Sequence, residues 1–264
     1  MQMVTVERRG GAGIITFSNP PVGVINRAGS EEMRAALREL VADEDIRSII
    51  ITGGQPGIFI RHYDVTEFVD LLAALDAGHP LPPKSEGPPT SGIGALFHEI
   101  AAAPKPVIAA INGICMGGGL EVALACDIRI ADPKAESIGL PETRVGTFPA
   151  GGGPSRLARM IGEAEALNMI LRGLIFTGEE AYERGLVTEL AADPLARALE
   201  ISNVWEGRVC DGLAHAKRII RSALDRPLAE SMADESRGHT EVIQSPAVRK
   251  NIRRVLPPGD IRDL

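Results

Sequence analysis

Three consecutive glycines, Gly117-Gly118-Gly119, run directly into Leu120-Glu121, and a second carboxylate follows in Leu140-Pro141-Glu142. Glycine lets backbone approach a ligand closely because no Cβ stands in the way. N–H groups at the start of the apolar stretch 120–125 can therefore face an anion, and the helix dipole adds to that preference. An N–H donor aimed at a developing oxyanion commonly contributes about 3 to 4 kcal/mol to catalysis. Glu121 interrupts the apolar run Leu120-Glu121-Val122-Ala123-Leu124-Ala125, so if that run is buried the carboxylate needs a donor, a water or a chemical task. Two carboxylates meeting at one water push their pKa values apart, and one can then act as base while the other acts as acid. An anion pocket with two such acids could form and protonate an enolate. The same residues also admit a plain structural use, as a glycine turn, a first-turn glutamate favoured by the helix dipole, and a Glu142 solvated beside Arg144.

The elements that must position these residues alternate between strand and helix. Val4-Thr5-Val6 and Gly13-Ile14-Ile15-Thr16-Phe17 flank Gly10-Gly11 and predict a hairpin, which Asn19-Pro20-Pro21 ends. Ser30, followed by Glu31 and Glu32, predicts the N-cap of a helix over about 30–43, with Met33, Leu37, Leu40 and Val41 at helical spacing. The isoleucine-rich run 47–52 ends at Gly53-Gly54 and the run 106–111 ends at Asn112-Gly113; both predict buried strands. Short strands are expected at 127–131 and 137–140, and helices near 65–76, 93–103, 155–172, 178–185 and 194–207. Thr177 and Glu180 form a capping box, with Gly185 placed to stop that helix. The fold class is α/β, with a core over 1–192 and a helical C-terminal region over 193–264. Between two of the helices, the Pro- and Gly-rich segment 78–92 predicts a surface loop, either a simple connector or a lid.

Composition narrows the partners. The chain has 264 residues, 44% of them hydrophobic, enough for one large core. With 35 acidic against 28 basic side chains, the net charge of -7 would repel a phosphate backbone, so nucleic acid is not expected as a partner. Cys115, Cys126 and Cys210 form no CxxC pair, which predicts reduced thiols in a cytoplasmic protein and no metal site. Met1 to Gly10 carries Glu7, Arg8 and Arg9 without an apolar stretch, and no 18-residue apolar run occurs, so neither a targeting segment nor a membrane span is expected. The chain has no GxSxG, no glycine before a lysine and no GxGxxG, which disfavours a serine hydrolase, a P-loop and a dinucleotide fold.

The string Ile108-Ala109-Ala110-Ile111-Asn112-Gly113-Ile114-Cys115-Met116-Gly117-Gly118-Gly119-Leu120-Glu121 strongly resembles the enoyl-CoA hydratase/isomerase (crotonase) family. Further blocks agree in order: Cys126-Asp127-Ile128-Arg129-Ile130-Ala131, Leu140-Pro141-Glu142 through Gly146-Thr147-Phe148-Pro149, Asn19-Pro20-Pro21, Ile50-Ile51-Thr52-Gly53 and Gly151-Gly152-Gly153. The match covers roughly 1–190. It implies a spiral of ββα units, a helical C-terminal region that builds homotrimers or hexamers, and a coenzyme A thioester as substrate with no separate cofactor. It implies an oxyanion hole from the backbone N–H groups of Tyr63 and Gly118, catalytic carboxylates at Glu121 and Glu142, and substrate contacts at Val24, Arg61, Asp64, Val65, Gly117 and Pro141. Retention of both acids favours hydration, with Glu142 protonating C2. An enoyl-CoA isomerase, another CoA-thioester enzyme of the family, or a non-catalytic module with the same fold remain as alternatives.

The chain departs from that pattern at Arg61-His62-Tyr63-Asp64, where many relatives have small residues of the type Ala-Gly-Ala-Asp. An N–H donor survives any side chain but proline. His62 would be strained if its position required positive φ, and the loop would then take another path. Arg61 suits a CoA phosphate. The segment 245–254 also differs, and Leu256-Pro257-Pro258-Gly259 is expected to end regular structure early.

Overall fold

Strands form here where β-branched runs are bounded by glycine, and the chain repeatedly turns a corner from one sheet to another. The computed structural model describes residues 2–80, 87 and 89–255. β1 (Val4–Arg9) and β2 (Ala12–Phe17) make the predicted antiparallel hairpin and lead to α1 (Arg27–Ala42). β3 (Ser48–Gly53) and β4 (Gly57–Ile60) are followed by the 3-10 turn Val65–Phe68, α2 (Val69–Asp76) and α3 (Gly92–Ala102). β5 (Val107–Ile111) and β6 (Gly113–Met116) lead to α4 (Gly118–Ala125). β7 (Ile128–Ala131) and β8 (Ile138–Gly139) lead to the 3-10 turn Glu142–Val145, α5 (Gly153–Ile161) and α6 (Glu163–Leu171). β9 (Ile175–Phe176), α7 (Gly178–Glu183), β10 (Glu189–Leu190) and α8 (Pro194–Asn203) complete the spiral.

The larger sheet has the order β1-β2-β3-β5-β7-β10 and the smaller one β4-β6-β8-β9. In three successive units, the first strand joins the larger sheet and the second joins the smaller one, as a ββα spiral requires. The corners need close backbone approach: a methyl group on Gly113 would lie 2.0 Å from Gly57 O. Asn112 ties the same corner to β3, donating from Nδ2 to Gly53 O at 2.9 Å and accepting from Gly53 N at 3.1 Å.

Period-two alternation divides the larger sheet between two cores. Ile15, Ile49, Ile51, Val107, Ala109 and Ile111 face the main core, while Ala12, Ile14, Ile50, Ile108, Ala110 and Ile130 face a second layer with Ala198 of α8. Under α8 the hydroxyls of Ser48 and Ser202 meet at 2.6 Å.

Three predicted boundaries move. α1 starts at Arg27 because Asn26, not Ser30, is its N-cap: Asn26 Oδ1 accepts from Gly29 N at 2.8 Å, and Ser30 is a buried helical residue bonded to Arg27 O. The helix expected over 155–172 is two helices, broken at Gly162 with φ +83. α8 ends at Asn203, and its N-cap Asp193 accepts from Ala196 N at 3.0 Å. The capping box at Thr177 and Glu180 forms as expected.

The C-terminal part is helical: α9 (Asp211–Ser222), α10 (Leu228–Gln244) and α11 (Pro246–Val255). α9 docks on the end of α4, where Arg221 pairs with Asp127 at 2.7 Å and donates to Ala125 O at 2.9 Å. Within the segment 78–92, residues 81–86 and 88 lie outside the described residues, as do 256–259, so the expectations of a lid and of an early stop fall there. Among the described residues, no helix is long and apolar enough to cross a membrane.

Candidate active site

α4 begins where β6 ends, and its first turn can lie against β4 only because it is glycine. A methyl group on Gly119 would sit 2.0 Å from Ile60 O, and Gly117, the N-cap, has φ +50. This seating brings Gly118 next to Tyr63, with a methyl group on Gly118 falling 3.5 Å from Tyr63 N. Tyr63 forms a parallel bridge with Ile25, in which His62 O accepts from Ile25 N at 2.9 Å and Asp64 N donates to Ile25 O at 2.8 Å. Neither Tyr63 N nor Gly118 N has an acceptor among the described residues.

Glu121 is 5% exposed on an α4 that is buried along its whole length. Its Oε1 accepts from Gly151 N at 2.6 Å and Gly153 N at 2.9 Å, while no donor among the described residues meets Oε2. Burial pushes its pKa up to about 7 against the pull of those two N–H groups, and the charge of Glu142 pushes the same way. Glu142 opens its 3-10 turn behind Pro141, and its Oε2 is buried without a hydrogen-bond partner among the described residues. Burial raises its pKa as well, opposed by its own backbone N–H and by His62. A methyl group on Gly117 would lie 3.1 Å from Glu142 Oε1 and 3.5 Å from His62 Cβ. Glu121, Glu142, Gly117, Gly118, His62 and Tyr63 therefore lie together at the start of α4.

The other candidate positions are arranged around it. Val24 O accepts from Asn19 Nδ2 at 2.8 Å on the segment beside Ile25. Arg61 is anchored through its backbone, N to Gly23 O and O to Met116 N, and its Nε is buried without a partner among the described residues. Asp64 caps the turn at Val65–Phe68, accepting from Thr66 N at 3.0 Å and Thr66 Oγ1 at 2.7 Å. Val65 is 62% exposed. The strain expected at His62 is absent: among the described residues, only glycines have positive φ, and the His62 ring instead bonds Tyr63 O. The Tyr63 hydroxyl donates to Glu67, whose carboxylate also accepts from Arg27 N, and the phenol pKa is raised chiefly by burial and then by Glu67.

Sequence reasoning missed Gly151 and Gly153 as the clamp on Glu121. Their signal was a second triple glycine, and the reason is packing: a methyl group on Gly151 would fall 2.0 Å from Phe97 Cε2 and 2.6 Å from Glu121 Oε2. Among the described residues, no cluster of three histidine, cysteine or acidic side chains could hold a metal.

The sequence profile of the enoyl-CoA hydratase/isomerase family matches residues 7–256. A protein of Mycobacterium tuberculosis named probable enoyl-CoA hydratase is 34% identical over 239 residues, 89% of this chain and 88% of that one. The alpha subunit of the fatty acid oxidation complex of Idiomarina loihiensis is 34% identical over 186 residues, 69% of this chain. The match takes up only 25% of that longer relative. The crystal structure of an enoyl-CoA hydratase from Bacillus anthracis superposes with a TM-score of 0.83 at 26% identity, covering 96% of this chain and 95% of that one. With the glycine-led α4, the paired carboxylates and the ββα spiral, these likenesses establish that the chain belongs to the enoyl-CoA hydratase/isomerase family.

Proposed function

We propose that this protein is an enoyl-CoA hydratase-type lyase that adds water across the 2,3 double bond of a trans-2-enoyl-CoA thioester. The observation that carries this reading is the pair of carboxylates, each with an oxygen that meets no donor among the described residues: Glu121 Oε2, beside an Oε1 clamped by Gly151 and Gly153, and the buried Glu142 Oε2. A water bonded to both oxygens would satisfy them. A lone proton shuttle, as an isomerase needs, would leave one acid without a task.

In this mechanism the thioester carbonyl oxygen accepts from Tyr63 N and Gly118 N. Water oxygen bonds to C3, the C2–C3 π pair moves toward the carbonyl, and the two N–H groups stabilise the enolate oxygen as negative charge develops. Glu142 delivers a proton to C2, and the proton lost by the water returns to the carboxylate pair. The pair thus ends with as many protons as it began, and the net change is one water added. Burial holds both acids above the usual carboxylate range, Glu121 at about 7. Arg61, Val24, Asp64, Val65, Gly117 and Pro141 are assigned to the thioester's surroundings, with the Arg61 guanidinium on a CoA phosphate.

Coenzyme A arrives as part of the substrate, and the chemistry calls on no further cofactor. Ile220, Leu224, Leu228 and Met232 of the C-terminal helices are 72%, 72%, 73% and 58% exposed, and we assign this apolar face to contacts in a homotrimer or hexamer. Free Cys115, Cys126 and Cys210 suit a reducing, cytoplasmic setting.

The test follows loss of the enoyl-thioester absorbance with short, long and aromatic acyl groups. Hydration by the wild-type protein is expected, and Glu142→Gln should lower kcat by about 10²- to 10⁴-fold with KM little changed. Wild-type turnover in that variant, or no hydration of any enoyl thioester, overturns the assignment.

A further inference from the structure

His62 lies beside Gly117 and Glu142, and the proposed mechanism gives its ring no task. Its ring lies against the backbone of the neighbouring residue, with Nδ1 2.7 Å from Tyr63 O. A carbonyl oxygen can only accept, so Nδ1 carries a hydrogen whether the ring is neutral or charged. His62 Nδ1 is the only donor to Tyr63 O among the described residues.

The surroundings of Tyr63 explain why this bond matters. In a parallel bridge, the partner strand bonds the groups flanking a residue, while the residue's own N–H and C=O point the other way. Here the flanking groups, His62 O and Asp64 N, are both taken by Ile25. The Tyr63 carbonyl is taken by the His62 ring, and the Tyr63 phenol is taken by Glu67. The Tyr63 N–H, which lies beside Gly118, is bracketed by these four bonds and has no acceptor of its own among the described residues. A donor whose flanking groups are held in place before substrate arrives loses little on binding it.

We propose that His62 is a positioning residue: its Nδ1–H bond to the Tyr63 carbonyl holds the Tyr63 amide at the angle from which it shares one substrate oxygen with Gly118 N–H. The inference rests on the hydratase reading for the identity of that oxygen as a thioester carbonyl. It assigns His62 no proton transfer. A small residue at 62 could pass the chain through the same backbone angles but would leave Tyr63 O without its donor.

The experiment separates the brace from the reaction. Isotope-edited infrared spectra of [1-13C]butyryl-CoA, a saturated thioester that cannot be hydrated, report how strongly the bound carbonyl is polarised, and steady-state kinetics with trans-2-butenoyl-CoA report turnover. His62→Ala should lose most of the downshift of the bound C=O stretch and lower kcat by about tenfold, with KM within about twofold, because misaiming one group by a fraction of an ångström costs rate more than binding. His62→Asn puts an amide donor near the place of Nδ1 without a titratable ring, so it should regain the downshift and bring kcat to within about threefold of wild type. Circular dichroism confirms that both variants fold. A wild-type stretch and kcat in His62→Ala overturn the proposal, and so does a His62→Asn variant as impaired as His62→Ala. If the downshift is lost in His62→Ala and regained in His62→Asn while the wild-type protein adds no water, the brace stands and the hydratase reading falls.

Discussion

Glu121 and Asp234 are both nearly buried carboxylates, 5% and 8% exposed, yet the protein drives them in opposite directions. Asp234 on α10 is met by Arg218 at 2.5 Å and Arg226 at 2.6 Å, and these guanidinium bonds hold its carboxyl far below the usual range. Glu121 on α4 meets only two neutral backbone N–H groups, feels the like charge of Glu142, and rises to about 7. Asp127, with Lys217 and Arg221 each at 2.7 Å, is built like Asp234. Burial therefore does not mark the site. What marks it is a carboxylate that bonds no cation: one bonded by arginine holds α9 to α10, whereas Glu121, on which Arg156 acts only through space and too weakly to offset burial, stays ready to exchange a proton near neutral pH.

The largest effect that would break this contrast belongs to Glu121→Gln. The amide keeps an acceptor for Gly151 N and Gly153 N but cannot take a proton from water, so kcat should fall by about 10²-fold or more. Stability should move the other way with pH. Folding raises the Glu121 pKa from 4.5 to about 7, so between those values the folded chain binds more protons than the unfolded one. The stability this group gives the wild-type protein is fully present below pH 4.5 and is lost as pH rises toward 7, a change of about 3 kcal/mol relative to Glu121→Gln. Urea unfolding of both proteins from pH 4 to 8 measures it, and a difference that does not vary with pH would show that Glu121 ionises as easily folded as unfolded.

How much of this contrast the chain discloses before folding is uneven. The glycine run, the two acids and the strand-to-corner rhythm of 47–54 and 106–113 are local patterns, and local patterns determine α4, β3 and β5. The clamp on Glu121 is not local, because Gly151 and Gly153 reach it only after α5 packs against α4, and nothing in a triple glycine says which side chain its N–H groups will hold. His62 misleads for a related reason. In sequence it looks like a bulky intrusion, but a backbone that needs no positive φ and a ring bonded to the next carbonyl make it part of the loop. The start of α1 was missed because two cap candidates, Asn26 and Ser30, stand within a turn of each other, and only the three-dimensional seat of Asn26 decides between them. Asp234 gave no signal at all, since its partners lie on a different helix and on the turn that follows it.

Asp234→Asn should have a smaller effect, and one confined to stability. Folding depresses this carboxyl, so its contribution is present above the unfolded value of 3.8 and is lost as pH falls through the lower folded value. The variant should unfold at lower urea than wild type near pH 7, the gap should begin to narrow as pH falls below 3.8, and kcat should stay at the wild-type level. A fall in kcat as large as that of Glu121→Gln would mean that the C-terminal helices reach the reacting atoms and that the two carboxylates are not so different.

The smallest effect tests whether cations beyond the first two matter. Arg237 approaches Asp234 at 3.5 Å from one turn along α10, but its side chain is 65% exposed. An exposed i,i+3 pair contributes about 0.5 kcal/mol or less, and salt screens most of it. Arg237→Ala should therefore shift the urea midpoint barely at all in high salt and leave kcat unchanged, while Arg226→Ala, which removes a cation that is only 24% exposed, should shift it clearly. Equal losses from the two substitutions would show that Asp234 is held by the summed field of the arginines rather than by the two that bond it directly, and its low pKa would then disappear in high salt.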